Sequence, residues 1–298
     1  MSNSISPKDY AFSVFIANYN NARYLDTAIN SVISQTYQNW ELVIVDDGST
    51  DHSLKVIEPY LKDKRIKLIA LGSNYGVGYS KKMGADNCQN DIIGVLDADD
   101  KIHRETLEII VDAYKNNPDC GFIYTSMYRC DSSLKNCKID KRVGNVIPPK
   151  TSIFNYKISM FRTFLRDVYQ KTSGYDPQLK AAVDRDIIYK LEEVTNFKFI
   201  NKPLYYYRKN EKGVSQGKNE YHALYQYYLA RSKAYLRRLN TDIPNLKRRD
   251  ITLDYYKLKL YKFIRFLRKY SRYIDKIIEF LPFEVKFLTN LMKFLKSI

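Results

Sequence analysis

The chain has 298 residues, 45% of them hydrophobic, and a formal net charge of +16, which gives ample material for a core in one large α/β domain or a smaller domain with an appendage. The polar first ten residues lack a signal-peptide core, and no uncharged run approaches the roughly 20 residues of a membrane span, so the expected location is cytoplasmic. Cys88, Cys120, Cys130 and Cys137 have no metal-ligand spacing and no CxxC, so reduced thiols are expected.

In chain order, residues 12–17 read as a strand running into Asn18-Tyr19-Asn20-Asn21, and residues 24–35 carry Leu25, Ala28, Ile29, Val32 and Ile33 at helical spacing. A second apolar run, Val43-Ile44-Val45, ends abruptly in Asp46-Asp47-Gly48-Ser49. Residues 53–62 have helical character and 66–71 read as a short strand. Asn74-Tyr75-Gly76-Val77-Gly78 opens a helix through Lys81 and Lys82 to about Cys88. Val95-Leu96 then ends in Asp97-Ala98-Asp99-Asp100, the second strand that delivers carboxylates to a sheet's carboxyl edge, where open α/β sheets bind ligands. A helix is expected over 103–116, a strand over 121–128, a polar hairpin or loop over 130–150, a strand or helix over 161–169, a helix from Ala181 to about Glu193, and a last strand over 198–208.

The ordered run from Phe12 through Ser49-Thr50-Asp51 to Asp97-Ala98-Asp99-Asp100 closely resembles the family 2 glycosyltransferases over roughly the first hundred residues. Later stretches are looser matches. Ser173-Gly174-Tyr175-Asp176 stands for the family's Gly-Gly-Phe-Asp, Val183-Asp184-Arg185-Asp186 for Glu-Asp-x-Asp, and Asn210 for the histidine of Tyr-Arg-x-His. The resemblance implies a Rossmann-like GT-A fold, a mostly parallel sheet flanked by helices, and an inverting transfer of sugar from a nucleoside diphosphate, UDP first, to a glycan or lipid-linked acceptor. By the same resemblance, Ala17, Tyr19 and Asp46 flank the base, while Asp47 belongs to that edge or holds its loop. Lys81 and Arg208 stand near the diphosphate, Asp97 and Ala98 on the ribose or sugar side, and Asp184 is the general base with Asp186 as fallback. Asp99 is the first choice to hold Mn²⁺ or Mg²⁺ and Asp100 its rival. Such a cation suits hard carboxylate and phosphate oxygens, and one or two protein carboxylates suffice.

From Lys218 onward there are 19 Lys and Arg against 7 Asp and Glu, so the expected division is a catalytic domain over 1–217 and a basic helical region over 218–298. Tyr256, Leu260, Phe263, Leu267, Tyr270, Ile274, Ile277 and Leu281 form one apolar stripe on a basic helix. Docking on protein or self-association, and peripheral contact with the inner face of a membrane, are the competing readings. No recognised motif favours nucleic acid. A non-catalytic nucleotide-sugar-binding or scaffolding subunit is the rival function, and a nucleotidyltransferase is a third, without a glycine-rich basic loop to hold a triphosphate.

Overall fold

The computed structural model describes residues 9–146, 152–153, 155–209 and 220–238, all within one compact unit. The apolar stripe over 256–281, the last helix and Asn210 lie outside the described residues.

The chain begins as a βαβ unit: β1 (Phe12–Asn18), α1 (Ala22–Ile33) and β2 (Trp40–Asp46). Both strands are almost wholly buried, and α1 turns Leu25, Ala28, Ile29 and Val32 into the core, the stripe its 3.6-residue period dictates. The segment expected to be one helix over 53–62 splits into α2 (Ser53–Ile57) and a 3-10 turn (Glu58–Lys62). Pro59 near the start of that turn has no N–H to continue the α-helical ladder. Next come β3 (Ile66–Ala70), α3 (Val77–Asp86), β4 (Ile92–Asp97), the short β5 (Lys101–Ile102) and α4 (Thr106–Asn116). The second half consists of β6 (Cys120–Cys130), β7 (Lys138–Ile139), β8 (Arg162–Leu165), α5 (Arg166–Gln170), α6 (Val183–Glu192), β9 (Asn196–Arg208) and α7 (Glu220–Arg238).

The strands form one sheet in the order β3-β2-β1-β4-β8-β6-β9-β5, with β7 paired to β6. The first four run parallel, as their near-continuous apolar runs require, whereas β8 enters antiparallel between β4 and β6. The order reverses on either side of β1, so its carboxyl end is the switch point at which open sheets leave a crevice. Register makes the placement specific: Asn18 lies beside Asp46 on one side, and Ala17 beside Asp97 on the other. The two acidic edges singled out in the sequence therefore flank the same strand end. Gly94 in β4 allows this dense packing, since a Cβ there would stand 2.4 Å from the ring of Phe161 and 2.8 Å from that of Phe12.

One feature departs from the sequence reading. Cys130 and Cys137 are joined as a disulfide, while Cys88 and Cys120 are free. The β6–β7 hairpin folds back through residues 131–137 and brings the two Cα atoms to 4.0 Å, a proximity that spacing alone does not signal. The first basic helix of the C-terminal region packs on the sheet domain. On α7, Lys233 pairs with Asp176 at 2.6 Å and Arg237 with Glu193 at 2.9 Å. Arg238, fully buried, reaches Glu192, Glu193 and the Tyr189 carbonyl. Among the described residues no helix is long and apolar enough to cross a membrane.

Candidate functional site

The turn after β2 is a self-contained scaffold. Asp46 is 1% exposed. Its carboxylate accepts hydrogen bonds from Asn18 Nδ2 at 2.7 Å, from the Ser49 N–H at 2.9 Å and from Ser49 Oγ at 2.7 Å. Asp47, also buried, accepts the N–H groups of Tyr75 and Gly76, each at 2.8 Å, and so ties the loop before α3 to the end of β2. Gly48 has φ +70°, and an added Cβ would lie 2.4 Å from the Ser73 carbonyl carbon, so both backbone conformation and close approach require glycine there. Tyr19, 44% exposed, stands at the open end of β1 beside partly buried Ala17.

The turn after β4 separates its carboxylates by burial. Asp97 and Asp99 are partly exposed, whereas Ala98 and Asp100 are buried. Asp100 accepts from the Tyr205 hydroxyl at 2.7 Å and from the Arg208 N–H at 2.7 Å. Burial, then the charges of Asp99 and Asp97, push its pKa well above the usual carboxylate range. Asp100 is thus an internal fastener and not a ligand-facing group. Tyr205 also accepts the Asp97 N–H at 3.2 Å, so one hydroxyl fixes both ends of the turn. Arg208 is buried too, donating to the Asp99 carbonyl and the Ser132 carbonyl, each at 2.6 Å, with its guanidinium over the Tyr24 ring. These contacts tie it to the wall of the site.

Lys81 connects this edge to α6. Its ammonium, on a side chain 6% exposed, lies 3.1 Å from Asp97 Oδ1 and 2.8 Å from Asp184 Oδ1. Arg162, at the start of β8 and 7% exposed, grips the other oxygen of Asp184 at 3.1 Å. Burial alone would depress the Lys81 pKa, but Asp184 and Asp97 raise it. Burial would likewise raise that of Asp184, yet Arg162 and Lys81 outweigh it and hold the carboxyl well below the usual range. The Asp184 side chain remains 32% exposed above these two covered cations, a charged oxygen pair fixed from below and open on its remaining side. Asp186, by contrast, is 0% exposed and neutralised by Lys190 at 2.6 Å, so the fallback base is sealed inside the protein. Val183, where the family pattern has Glu, is buried at the first position of α6.

Among the described residues no group of three or more His, Cys, Asp or Glu forms a metal cage. The donor set nonetheless suits a hard cation that keeps waters and phosphate oxygens as ligands, since Mg²⁺ and Mn²⁺ are ordinarily bound by one or two carboxylates. Asp99, partly exposed in the same turn, is the carboxylate that the sequence reading puts first for that role.

The structure therefore joins Lys81, Asp97 and Asp184 directly, and lines Ala17, Tyr19 and Asp46 along the adjacent strand end. Sequence reasoning missed Arg162, Tyr205 and Asn18. Arg162 had a signal: a charge inside the apolar run Met160-Phe161-Arg162-Thr163-Phe164-Leu165 must find a buried partner. A cavity of about 550 Å³ lined by Asp119, Cys120, Leu165, Lys171 and Glu192, among others, sits at the opposite end of the sheet, because Leu165 pairs with Ile92 at the start of β4.

Residues 13–191 match the family model described as Glycosyl transferase family 2, a span from β1 through almost all of α6. The chain belongs to glycosyl transferase family 2. It is 31% identical over 206 residues to the chondroitin synthase of Escherichia coli, covering 65% of this chain and 28% of that protein. With the hyaluronan synthase of Pasteurella multocida it shares 28% identity over 203 residues, 65% of this chain and 20% of that one. The chain thus spans between a fifth and a third of the length of these two relatives. Among solved structures, S. aureus TarS residues 1–349 in complex with UDP-GlcNAc superimposes with a TM-score of 0.66 at 20% identity, covering 85% of this chain and 72% of that one. This likeness bears on the fold, the same GT-A arrangement expected from the sequence.

Proposed function

We propose that the protein transfers a sugar, with inversion, from a nucleoside diphosphate donor to a hydroxyl of a glycan or lipid-linked acceptor in the synthesis of a surface polysaccharide or glycolipid. UDP is the proposed nucleotide, supported by the fold shared with a UDP-GlcNAc-bound protein and by relatives named as polysaccharide synthases. The observation that carries the reading is the Lys81 bridge. One buried ammonium touches both a carboxylate of the Asp97-Ala98-Asp99 turn and Asp184, so a donor anchored at the first can present its anomeric carbon near the second.

In this reading Ala17 and Tyr19 bound the base, and Asp46 with Asp47 shapes its end of the crevice. Asp97 meets the ribose or sugar, and Ala98 gives the turn its buried pivot. Arg208 holds the turn's backbone in place. Asp99 would hold Mn²⁺ or Mg²⁺, which when bound supplies Lewis-acid stabilisation of charge on the departing diphosphate. Asp184 accepts the proton of the acceptor hydroxyl while that oxygen bonds to the anomeric carbon and the carbon's bond to the diphosphate oxygen breaks. Held below the usual carboxylate range, it is ionised at neutral pH. A release assay for UDP over a panel of UDP-sugars tests this: Asp184→Asn should still bind donor yet lose about 10²-fold or more of transfer, the usual worth of a general base. Wild-type turnover by that variant, or no UDP release by the native chain with any donor, would count against the proposal.

A further inference from the structure

Arg185, the residue after Asp184, is held by aromatic rings, as is Arg231 on α7, which packs on Tyr227 and Tyr235 and donates to their hydroxyls. The Arg185 guanidinium carbon lies 4.0 Å from the centre of the Tyr156 ring and 4.5 Å from that of Tyr227 on α7. Neighbouring cations are spent on carboxylates: Lys81 and Arg162 on Asp184, Lys190 on Asp186, Lys233 on Asp176, Arg237 and Arg238 on Glu193. Among the described residues, no carboxylate lies within ion-pair distance of Arg185. The Tyr189 hydroxyl one turn along lies against it as its polar neighbour within the fold. A partly exposed guanidinium is thus fixed by two aromatic rings and, among the described residues, its N–H groups meet no carboxylate. Such a fork matches the two oxygens of a carboxylate or phosphate, and cation–π packing fixes the plane without consuming those donors. Tyr156 also stands beside Arg162, the clamp on Asp184, which puts the guanidinium one tyrosine away from that clamp on the site's base.

We propose that Arg185, set by Tyr156 and Tyr227, binds an anionic group of the acceptor glycan, a carboxylate or a phosphodiester, beside the hydroxyl presented to Asp184. The proposal rests on the glycosyltransfer reading above and names its acceptor class. It also gives α7 a part in the site, since Tyr227 supplies one of the two rings.

The test uses the full chain with uronate-containing oligosaccharides, their carboxyl-reduced counterparts, and polyol-phosphate oligomers as probes. UDP release at saturating donor gives KM for each, and calorimetry on the UDP-loaded protein gives binding without turnover. Native protein should prefer charged probes to reduced ones, and the uronate and phosphate arms identify which anion is used. In Arg185→Gln the KM for the preferred probe should rise about tenfold or more, as expected for losing a charge-assisted bidentate contact, with Arg185→Lys intermediate. The charged-to-neutral preference should collapse as well, a ratio that simple loss of folded protein does not move. Equal use of charged and reduced probes by the native chain, an unchanged preference in Arg185→Gln, or no calorimetric binding of any anionic probe overturns the proposal. Donor hydrolysis without acceptor reports separately on the glycosyltransfer reading. UDP release that depends on neither probe charge nor Arg185 overturns this proposal alone, whereas no UDP release with any donor and probe overturns that reading and the acceptor role with it.

Discussion

Replacing Arg162 with Met tests how the site is held, because the change removes the guanidinium and keeps much of the side chain's bulk. Asp184 would lose its 3.1 Å bond at Oδ2 and keep the 2.8 Å bond from Lys81 at Oδ1. A hydrogen bond to a charged group contributes about 1.5–3 kcal/mol, and because the Asp184 side chain is 32% exposed, water takes up part of the loss. We expect destabilisation near the lower end, about 1.5 kcal/mol, read by urea denaturation. The catalytic effect should be larger, since misplacing a reacting group by about 1 Å can lower the rate about 10²-fold. The pH profile separates positioning from general damage. Burial raises the Asp184 pKa, but Arg162 and Lys81 together lower it below its unfolded value. Its contribution to stability is therefore present above the unfolded pKa of about 4 and lost as pH falls through the folded one. In Arg162→Met the folded pKa moves up toward the ordinary Asp range, so the acid limb of kcat should shift to higher pH than in the native enzyme. Arg162→Lys should restore part of kcat. A Met variant with native kcat and a native pH profile would show that Asp184 does not depend on this clamp.

Two further outcomes follow from the scaffold. Tyr205→Phe removes the hydroxyl that donates to buried Asp100 and accepts the Asp97 N–H, and losing the two bonds should cost about 1–3 kcal/mol; denaturation midpoints equal to the native value would refute that role. Arg238→Gln removes the buried guanidinium from Glu192 and Glu193, which keep Ser152 and Arg237 as partners, so a loss of about 1.5–3 kcal/mol is expected. Because α6 carries Asp184, its kcat should fall in parallel, and native proteolytic resistance together with native kcat would contradict the argument.

The donor side of the site was legible because its signals are local. Apolar runs that stop at Asp46 and Asp97 mark strand ends, and parallel register around β1 then brings them together without further instruction. Asp184 could be read at the head of α6, and Lys81 by its place on α3. What escaped the sequence depends on contacts between distant segments. Tyr205 meets Asp100 across 105 positions, and Arg162 reaches Asp184 only because β8 enters antiparallel beside β4. The burial of Asp100 is equally illegible, since Asp97, Asp99 and Asp100 look alike in sequence until Tyr205 and the Arg208 N–H select one. The disulfide is local in sequence but depends on how the β6–β7 hairpin closes, which residues 130–137 do not announce.

The central claim is that a cation-bridged diphosphate sits at the carboxyl ends of β1 and β4. Calorimetric titration of UDP into the native chain and Asp99→Asn, each with and without Mn²⁺, tests it most directly. The account predicts that Mn²⁺ tightens UDP binding by about tenfold or more, equivalent to about 1.4 kcal/mol, in the native protein and not in the variant. UDP affinity indifferent to Mn²⁺ in the native chain, or equally enhanced in Asp99→Asn, would contradict it.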